Sequence, residues 1–260
     1  MRDILQEIAE KTRERMEAQK RLLPLAEIKA MAADSNTETD YPFEAVLKKP
    51  GISFICEVKK ASPSKGVIAE NFPYKEIAKK YETAGADALS VLTEPFYFLG
   101  SNTYLKEIRR KTALPILRKD FMVDEYMIYE AKVLGADAVL LICSILSDMQ
   151  LSEYRGLARS LGMTALIETH DEKEVSRAKA CGAKVIGVNN RNLRDFTVDL
   201  SQSLRLRELV PEETLFISES GIKTPEDVRR LKENGTDAVL IGETLMRSGN
   251  VEETLRQLAG

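Results

Sequence analysis

The sequence predicts an α/β protein, a (β/α)8 TIM barrel with an N-terminal helical extension, and three observations carry that expectation. Short apolar runs rich in β-branched residues alternate eight times with amphipathic segments. A motif recurs as AGADALSVL (84–92), LGADAVLLI (134–142), CGAKVIGVN (181–189) and NGTDAVLIG (234–242), its glycines Gly85, Gly135, Gly182 and Gly235 lying 50, 47 and 53 residues apart. Several of the apolar runs also end in charged or amide residues: Glu57 and Lys59, Lys119, Glu168, Asn189 and Arg191, and Glu219. Burying an unpartnered charge costs several kcal/mol, so these groups are not core filler. On parallel strands of one sheet they gather at its carboxyl edge, where barrel enzymes bind their ligands.

Residues 1–47 precede the first unit. Ile4, Leu5, Ile8 and Met16 form a helical apolar stripe, 33–42 reads as a polar loop, and FEAVLKK (43–49) reads as a short helix stopped by Pro50 and Gly51. The repeat interval is about twice one strand–helix unit, so a second strand must lie inside each interval. The strands are then expected at 52–58, 88–93, 115–119, 137–143, 164–168, 184–189, 214–218 and 237–242. Their continuous apolar character fits parallel strands covered on both faces. FPYKEIAKKYETA, NTYLKEIRRKTA and DEYMIYEAKVLG supply helices after the first three strands. SDMQLSEYRGLARSLG, HDEKEVSRAKACG and LSQSLRLRELV follow the next three. TPEDVRRLKENG has Thr224 as N-cap, Pro225 at its first turn and Gly235 at its end, and NVEETLRQLAG closes the chain. Each repeat glycine is placed to end a helix in left-handed geometry. The whole of 1–260 reads as one barrel domain, since about 250 residues is typical of the fold.

Composition narrows the function. With 38 Lys and Arg against 41 Asp and Glu the net charge is −3, so no basic excess points to nucleic acid. The charged start does not read as a signal peptide, and no apolar run approaches the roughly 18 residues of a membrane helix, so a cytoplasmic location without membrane contact is expected. Cys56, Cys143 and Cys181 are too widely spaced for a zinc site or a CxxC pair and read as small buried hydrophobes. No metal is expected, because there is no His pair or Asp cluster, and no nucleotide loop is present. His170, the lone histidine, reads as opening a helix on the surface or rim, without a direct catalytic part. Nothing identifies a protein partner.

Glycines at the ends of the last two strands, in Glu219-Ser220-Gly221 and Gly242-Glu243-Thr244, let backbone N–H groups approach an anion, and these are the loops where barrel enzymes often hold phosphate. Ser62, Ser64 and Lys65 in KKASPSKG (59–66) suit the same task. The strings EVKKASPSKG, LTEPFYFLGS (92–101), LRKDF (117–121), LIE (166–168), IGVNNRNL (186–193), ESGI (219–222) and LIGETLMR (240–247) fall in order on the expected strand ends. Together they resemble indole-3-glycerol phosphate synthase from the N-terminal helix to about Arg247.

The resemblance implies ring closure, decarboxylation and dehydration of 1-(2-carboxyphenylamino)-1-deoxyribulose 5-phosphate in tryptophan biosynthesis, with no metal or redox cofactor. It implies a catalytic set of Glu57, Lys59, Lys119, Glu168, Asn189, Glu219 and Ser220. Lys119 matches the acid of the condensation. Lys59 matches a lysine that binds the substrate carboxylate and acts in dehydration. Glu57 and Glu168 share base or electrostatic roles. Asn189 and Glu219 fix sugar hydroxyls and orient a lysine, and Arg191 lies near the anthranilate end. Ser62, Ser220, Gly221, Gly242 and Glu243 align with the phosphate region, Glu243 through its backbone N–H. Phe98, Phe121, Leu140, Leu193 and Leu240 line the aromatic pocket. The extension is implied to lie over the catalytic face. The alternatives are another phosphosugar barrel lyase, a Schiff-base aldolase using Lys119 or Lys59, or a non-catalytic barrel that binds a phosphate ligand, with the charged set as a structural network.

Overall fold

The computed structural model describes residues 4–192 and 195–260. Eight parallel strands close into a barrel: β1 (Ser53–Val58), β2 (Ala88–Leu92), β3 (Ile116–Lys119), β4 (Ala138–Ile142), β5 (Thr164–Thr169), β6 (Val185–Asn189), β7 (Leu215–Glu219) and β8 (Ala238–Ile241). Each lies within two residues of its expected place. Sequential strands pair with one another, and β8 closes on β1 with Ser53 opposite Ala238. The four repeat glycines do adopt left-handed geometry, with φ between 75° and 94°. The Asp after three of them has a further role. Asp87, Asp137 and Asp237 accept the backbone N–H of Phe54, Ile116 and Phe216 at 3.0, 2.8 and 2.7 Å, clamping the starts of β1, β3 and β7.

The helices α1 (Ile4–Leu22), α2 (Leu25–Ala33) and α3 (Pro42–Leu47) form the extension. Around the barrel follow α4 (Tyr74–Thr83), α5 (Asn102–Arg109), α6 (Glu125–Leu134), α7 (Asp148–Ser160), α8 (Glu172–Ala180), α9 (Ser201–Arg207) and α10 (Pro225–Glu233). A one-turn α11 (Glu243–Met246) and α12 (Val251–Ala259) complete the chain. Thr224 caps α10 as expected, its hydroxyl accepting from Asp227 while Asp227 accepts the Thr224 N–H, a capping box. Among the described residues no helix is long and apolar enough to cross a membrane.

One expectation is corrected here. The extension does not lie wholly over the catalytic face. Only α1 does, through Glu7 to Tyr97 after β2 (2.6 Å), Arg15 to Asp120 after β3 (2.9 Å) and Gln6 to Ser144 after β4 (3.2 Å). Helix α3 sits at the opposite end, where Glu44 accepts from Thr164 at the start of β5 and Ser53 at the start of β1 donates to Val46. Phe43 and Leu47 are fully enclosed there. A barrel has two open mouths, and burying one large apolar side chain contributes about 1.5–3 kcal/mol, so both ends receive a cover. Helix α2, unforeseen, lies along α6 with Lys29 3.2 Å from Glu125.

Candidate active site

Strand alternation sends every second side chain into the barrel, and at its carboxyl end these converge. All eight strands contribute to one cavity of about 520 Å³, from Glu57 on β1 through Lys119 on β3 and Glu168 on β5 to Leu240 on β8. The cavity is lined by Glu57, Lys59, Ser62, Lys119, Glu168, Asn189, Arg191 and Glu219, and by Phe98, Phe121, Leu140, Ser220, Gly221, Leu240, Gly242 and Glu243. These are the residues expected from the sequence. Leu193 lies outside the described residues.

Two charged groups sit side by side. Lys119 Nζ donates to Glu168 Oε2 at 3.0 Å and also to Glu219, and Lys59 Nζ lies 2.5 Å from Glu57 Oε1. Burial works against the Lys119 charge, but Glu219, Glu168 and Glu57 outweigh it and hold the ammonium above the ordinary lysine range. Burial also opposes charge on Glu168, yet Lys119 and His170 hold its carboxyl well below the usual value. At Glu219 burial prevails over Lys119, with the nearby charges of Glu168 and Glu57 adding to it, and the carboxyl is pushed up to about 7. One lysine thus sits between a carboxylate that stays ionised and a carboxyl poised near neutrality.

Two glycines make room for this arrangement. A Cβ at Gly187 would collide with the Glu219 carboxylate, and one at Gly242 with Glu57 and Lys59. Among the described residues Glu219 Oε1 has no hydrogen-bond partner, and it is buried on the side that Gly187 leaves open.

The loops after β7, β8 and β1 adjoin across the barrel seam. Thr244 Oγ1 donates to the Ile222 carbonyl at 2.8 Å, joining the first two. Lys65 Nζ lies 3.8 Å from Glu243 Oε1, joining the last two. The stretch after β1 holds a small hairpin, Ala61–Ser62 against Gly66–Val67, where only a loop was expected. Ser220 (φ 67°) and Gly221 (φ 86°) are both left-handed, which for serine costs of order 1 kcal/mol. Asn190 holds that turn. Its Nδ2 donates to the Ser220 carbonyl at 3.0 Å and to Ser218 Oγ at 2.9 Å, while Oδ1 accepts from the Ser203 backbone and hydroxyl. Arg191 approaches Glu243 at 3.4 Å, on the side of this cradle.

Several residues with a part in the site were not foreseen. Glu94 accepts from the backbone N–H groups of Phe96, Tyr97 and Phe98 and so shapes the loop that carries Phe98. Asp120, next to Lys119, accepts two bonds from Arg15 and one from Thr93, and burial of its charge is overcome by Arg15 and Arg118. Arg118 is fully buried on the outer face of β3, bound to Glu130 of α6 at 2.6 Å. His170 precedes a helix at the barrel rim, as expected, but its ring is turned toward Glu168, a contact the sequence did not indicate. Burial opposes its charge, while Glu168 and Glu174 raise its pKa to about 10. Cys56 and Cys143 are buried, and burial pushes both thiols up, as inert core cysteines.

Among solved structures the barrel resembles 3-hexulose-6-phosphate synthase, with a TM-score of 0.63 at 16% identity, covering 80% of this chain and 98% of that one, a likeness of fold. The indole-3-glycerol phosphate synthase of Ruminiclostridium cellulolyticum is 51% identical over 257 residues, 99% of both chains. That of Lacticaseibacillus casei is 52% identical over 252 residues, 97% of both chains. A sequence model of the indole-3-glycerol phosphate synthase family matches residues 5–258, so that barrel, cavity and cover all fall within the match and the chain belongs to this family.

Proposed function

We propose that this cavity closes the indole ring of indole-3-glycerol phosphate, converting 1-(2-carboxyphenylamino)-1-deoxyribulose 5-phosphate with loss of carbon dioxide and water. The observation that carries the reading is Lys119, held between Glu168 and Glu219 at the floor of a cavity with an apolar wall and a three-loop glycine cradle. The ring carbon bearing the carboxylate attacks the sugar ketone, and the ketone oxygen becomes an alkoxide. Lys119, protonated across the neutral range, donates to that far stronger base. Departure of carbon dioxide restores the aromatic ring. Lys59 then protonates the departing hydroxyl while Glu168 or Glu57 takes the proton that completes the double bond. Asn189 and Glu219 hold the sugar hydroxyls and the lysine.

Phe98, Phe121, Leu140 and Leu240 supply the apolar wall for the aromatic ring, with Leu193 assigned there by sequence alone. Ser62, Ser220, Gly221, Gly242 and the Glu243 backbone are assigned to the phosphate. Arg191 is assigned to the anthranilate end, although its approach to Glu243 places it beside the phosphate cradle as well. Residues 1–260 form a single barrel domain that works in the cytoplasm, in tryptophan biosynthesis. Incubation with the carboxyphenylamino-deoxyribulose phosphate should give the fluorescence of indole-3-glycerol phosphate, with no imine trapped by borohydride. Folded protein that gives no indole product would overturn the reading.

A further inference from the structure

His170 takes no part in the reaction as written, yet it is the second cationic group beside Glu168. The two residues flank Thr169, whose hydroxyl faces the neighbouring strand and donates to the Gly187 carbonyl. The His170 ring is four-fifths enclosed, with its side chain 20% exposed. Glu174, one turn into α8, accepts the His170 backbone N–H at 2.8 Å, and the same oxygen lies 3.1 Å from ring Nδ1. Glu174 is itself fixed by its N–H to Asp171, the helix cap, at 2.8 Å. From α9, Gln202 donates to the His170 carbonyl at 2.9 Å.

Backbone and ring are thus held from two helices, and Nε2 is left facing Glu168 Oε1 at 3.4 Å, buried and, among the described residues, without an aligned hydrogen bond of its own. The other Glu168 oxygen meets Lys119 at 3.0 Å. Among the described residues the charged groups facing the ring are Glu168 on β5 and Glu174 on α8. Lys119 lies beyond Glu168, and Arg177 of α8 is engaged with Asp148 and with the carbonyls of Cys143 and Leu146.

We infer that His170 is a positioning residue, which Glu174 holds so that its Nε2 pins one oxygen of Glu168 and leaves the other to Lys119. The inference rests on the reading of Glu168 as a working carboxylate in the reaction proposed above. A carboxylate with an opposite charge facing each oxygen resists rotation about its terminal bond. Without the imidazole, Oε1 loses the charge that faces it and the group can turn both oxygens to Lys119. That turn draws the ammonium out of line with the substrate ketone. A misplacement on the order of 1 Å at a reacting group costs about 100-fold in rate.

The test compares His170→Leu, His170→Gln and Glu174→Gln with Glu168→Gln, each checked for fold by circular dichroism before kcat and KM are measured. His170→Leu should lower kcat by about 10–100-fold with KM changed by less than about twofold, since the lost interaction acts on the chemical step. His170→Gln, which places an amide N–H near the position of Nε2, should recover most of that loss. Glu174→Gln should fall between, because the ring stays but its orientation is released. Normal kcat in His170→Leu and Glu174→Gln, with Glu168→Gln inactive, would overturn the inference and leave the role of Glu168 standing. Normal turnover in Glu168→Gln would overturn that role itself. A His170→Leu protein that melts earlier but keeps normal kcat per folded molecule makes the residue purely structural, which also overturns the inference. If His170→Leu does not fold, Glu174→Gln decides.

Discussion

Lys119 has one ammonium and two carboxylates to satisfy, and the difference between those carboxylates sets the chemistry. Glu168 stays charged, while Glu219 is pushed up to about 7. The Lys119→Ala variant should lose about 10²–10⁴ in kcat, the usual contribution of a positioned acid, and near-normal turnover would remove it from the reaction. For Glu219 the expected signature is a pH dependence. Below about 7 its carboxyl is largely protonated and its grip on Lys119 weakens, so kcat/KM should rise with pH through an ionisation near 7. The Glu219→Gln variant should show no such rise, and a profile with the same ionisation in both proteins would assign it to another group. The lysines and glutamates were legible in the sequence because each interrupts an apolar run at its end. His170 and Asn190 were not. The partners of His170 depend on helix register and ring direction, and Asn190 stands beside an amide, Asn189, that already had a role.

At the scale of elements, the eight strands could be placed because the glycine repeat gives their phase and the apolar runs their length. What escaped was short or plain. Each strand of the hairpin at Ala61–Ser62 and Gly66–Val67 is two residues long, below any periodicity. Helix α2 follows Pro24 and carries little polar contrast to mark its faces. The position of the extension was also beyond pattern, since an apolar stripe says that a helix is covered but not by what. Helix α1 reaches the cavity through Leu5 and is tied beside Lys119 by Arg15 on Asp120. Removing residues 1–23 should therefore leave the circular dichroism of a folded barrel and raise KM more than it lowers kcat, as the mouth opens to water. An unchanged KM would show that α1 is only a cover. The Arg15→Ala variant should act in the same direction more weakly, because Asp120 keeps Thr93 and Arg118.

For the whole molecule two of the raised ionisations, those of His170 and Glu219, act together on stability. His170 is raised from an ordinary value near 6.5 to about 10, so its contribution is complete below about 6.5 and is lost as pH rises through about 10. Glu219 is raised from its ordinary range to about 7, so its burial is least costly when protonated and stability falls as pH rises toward about 7. Both trends point the same way. Scanning calorimetry should find a lower Tm at about pH 9 than at about pH 6.5, with a smaller difference in His170→Leu. A Tm that rises over that interval would contradict the assigned ionisations. Deletion of residues 1–47 should be more damaging than loss of 1–23, because it also strips Phe43 and Leu47 from the lower mouth. The two truncations compared by urea titration separate the covers. Equal midpoints would show that α3 adds nothing.

The split placement of the extension also has a consequence in time. Helix α3 is made early, but its partner Thr164 lies 120 residues further along the chain. At a synthesis rate of about 5–20 residues per second, Phe43 and Leu47 wait roughly 6–24 s with no lower mouth to enter. Arg15 waits similarly for Asp120, 105 residues on, and β1 for β8. Helices α1 and α3 are thus made well before the strands they dock on. Until those strands appear, the apolar side chains of α1 and α3 remain available to chaperones or neighbouring nascent chains. Arrested nascent chains probed by limited proteolysis should stay cleavable between α1 and α3 until β5 has left the exit tunnel.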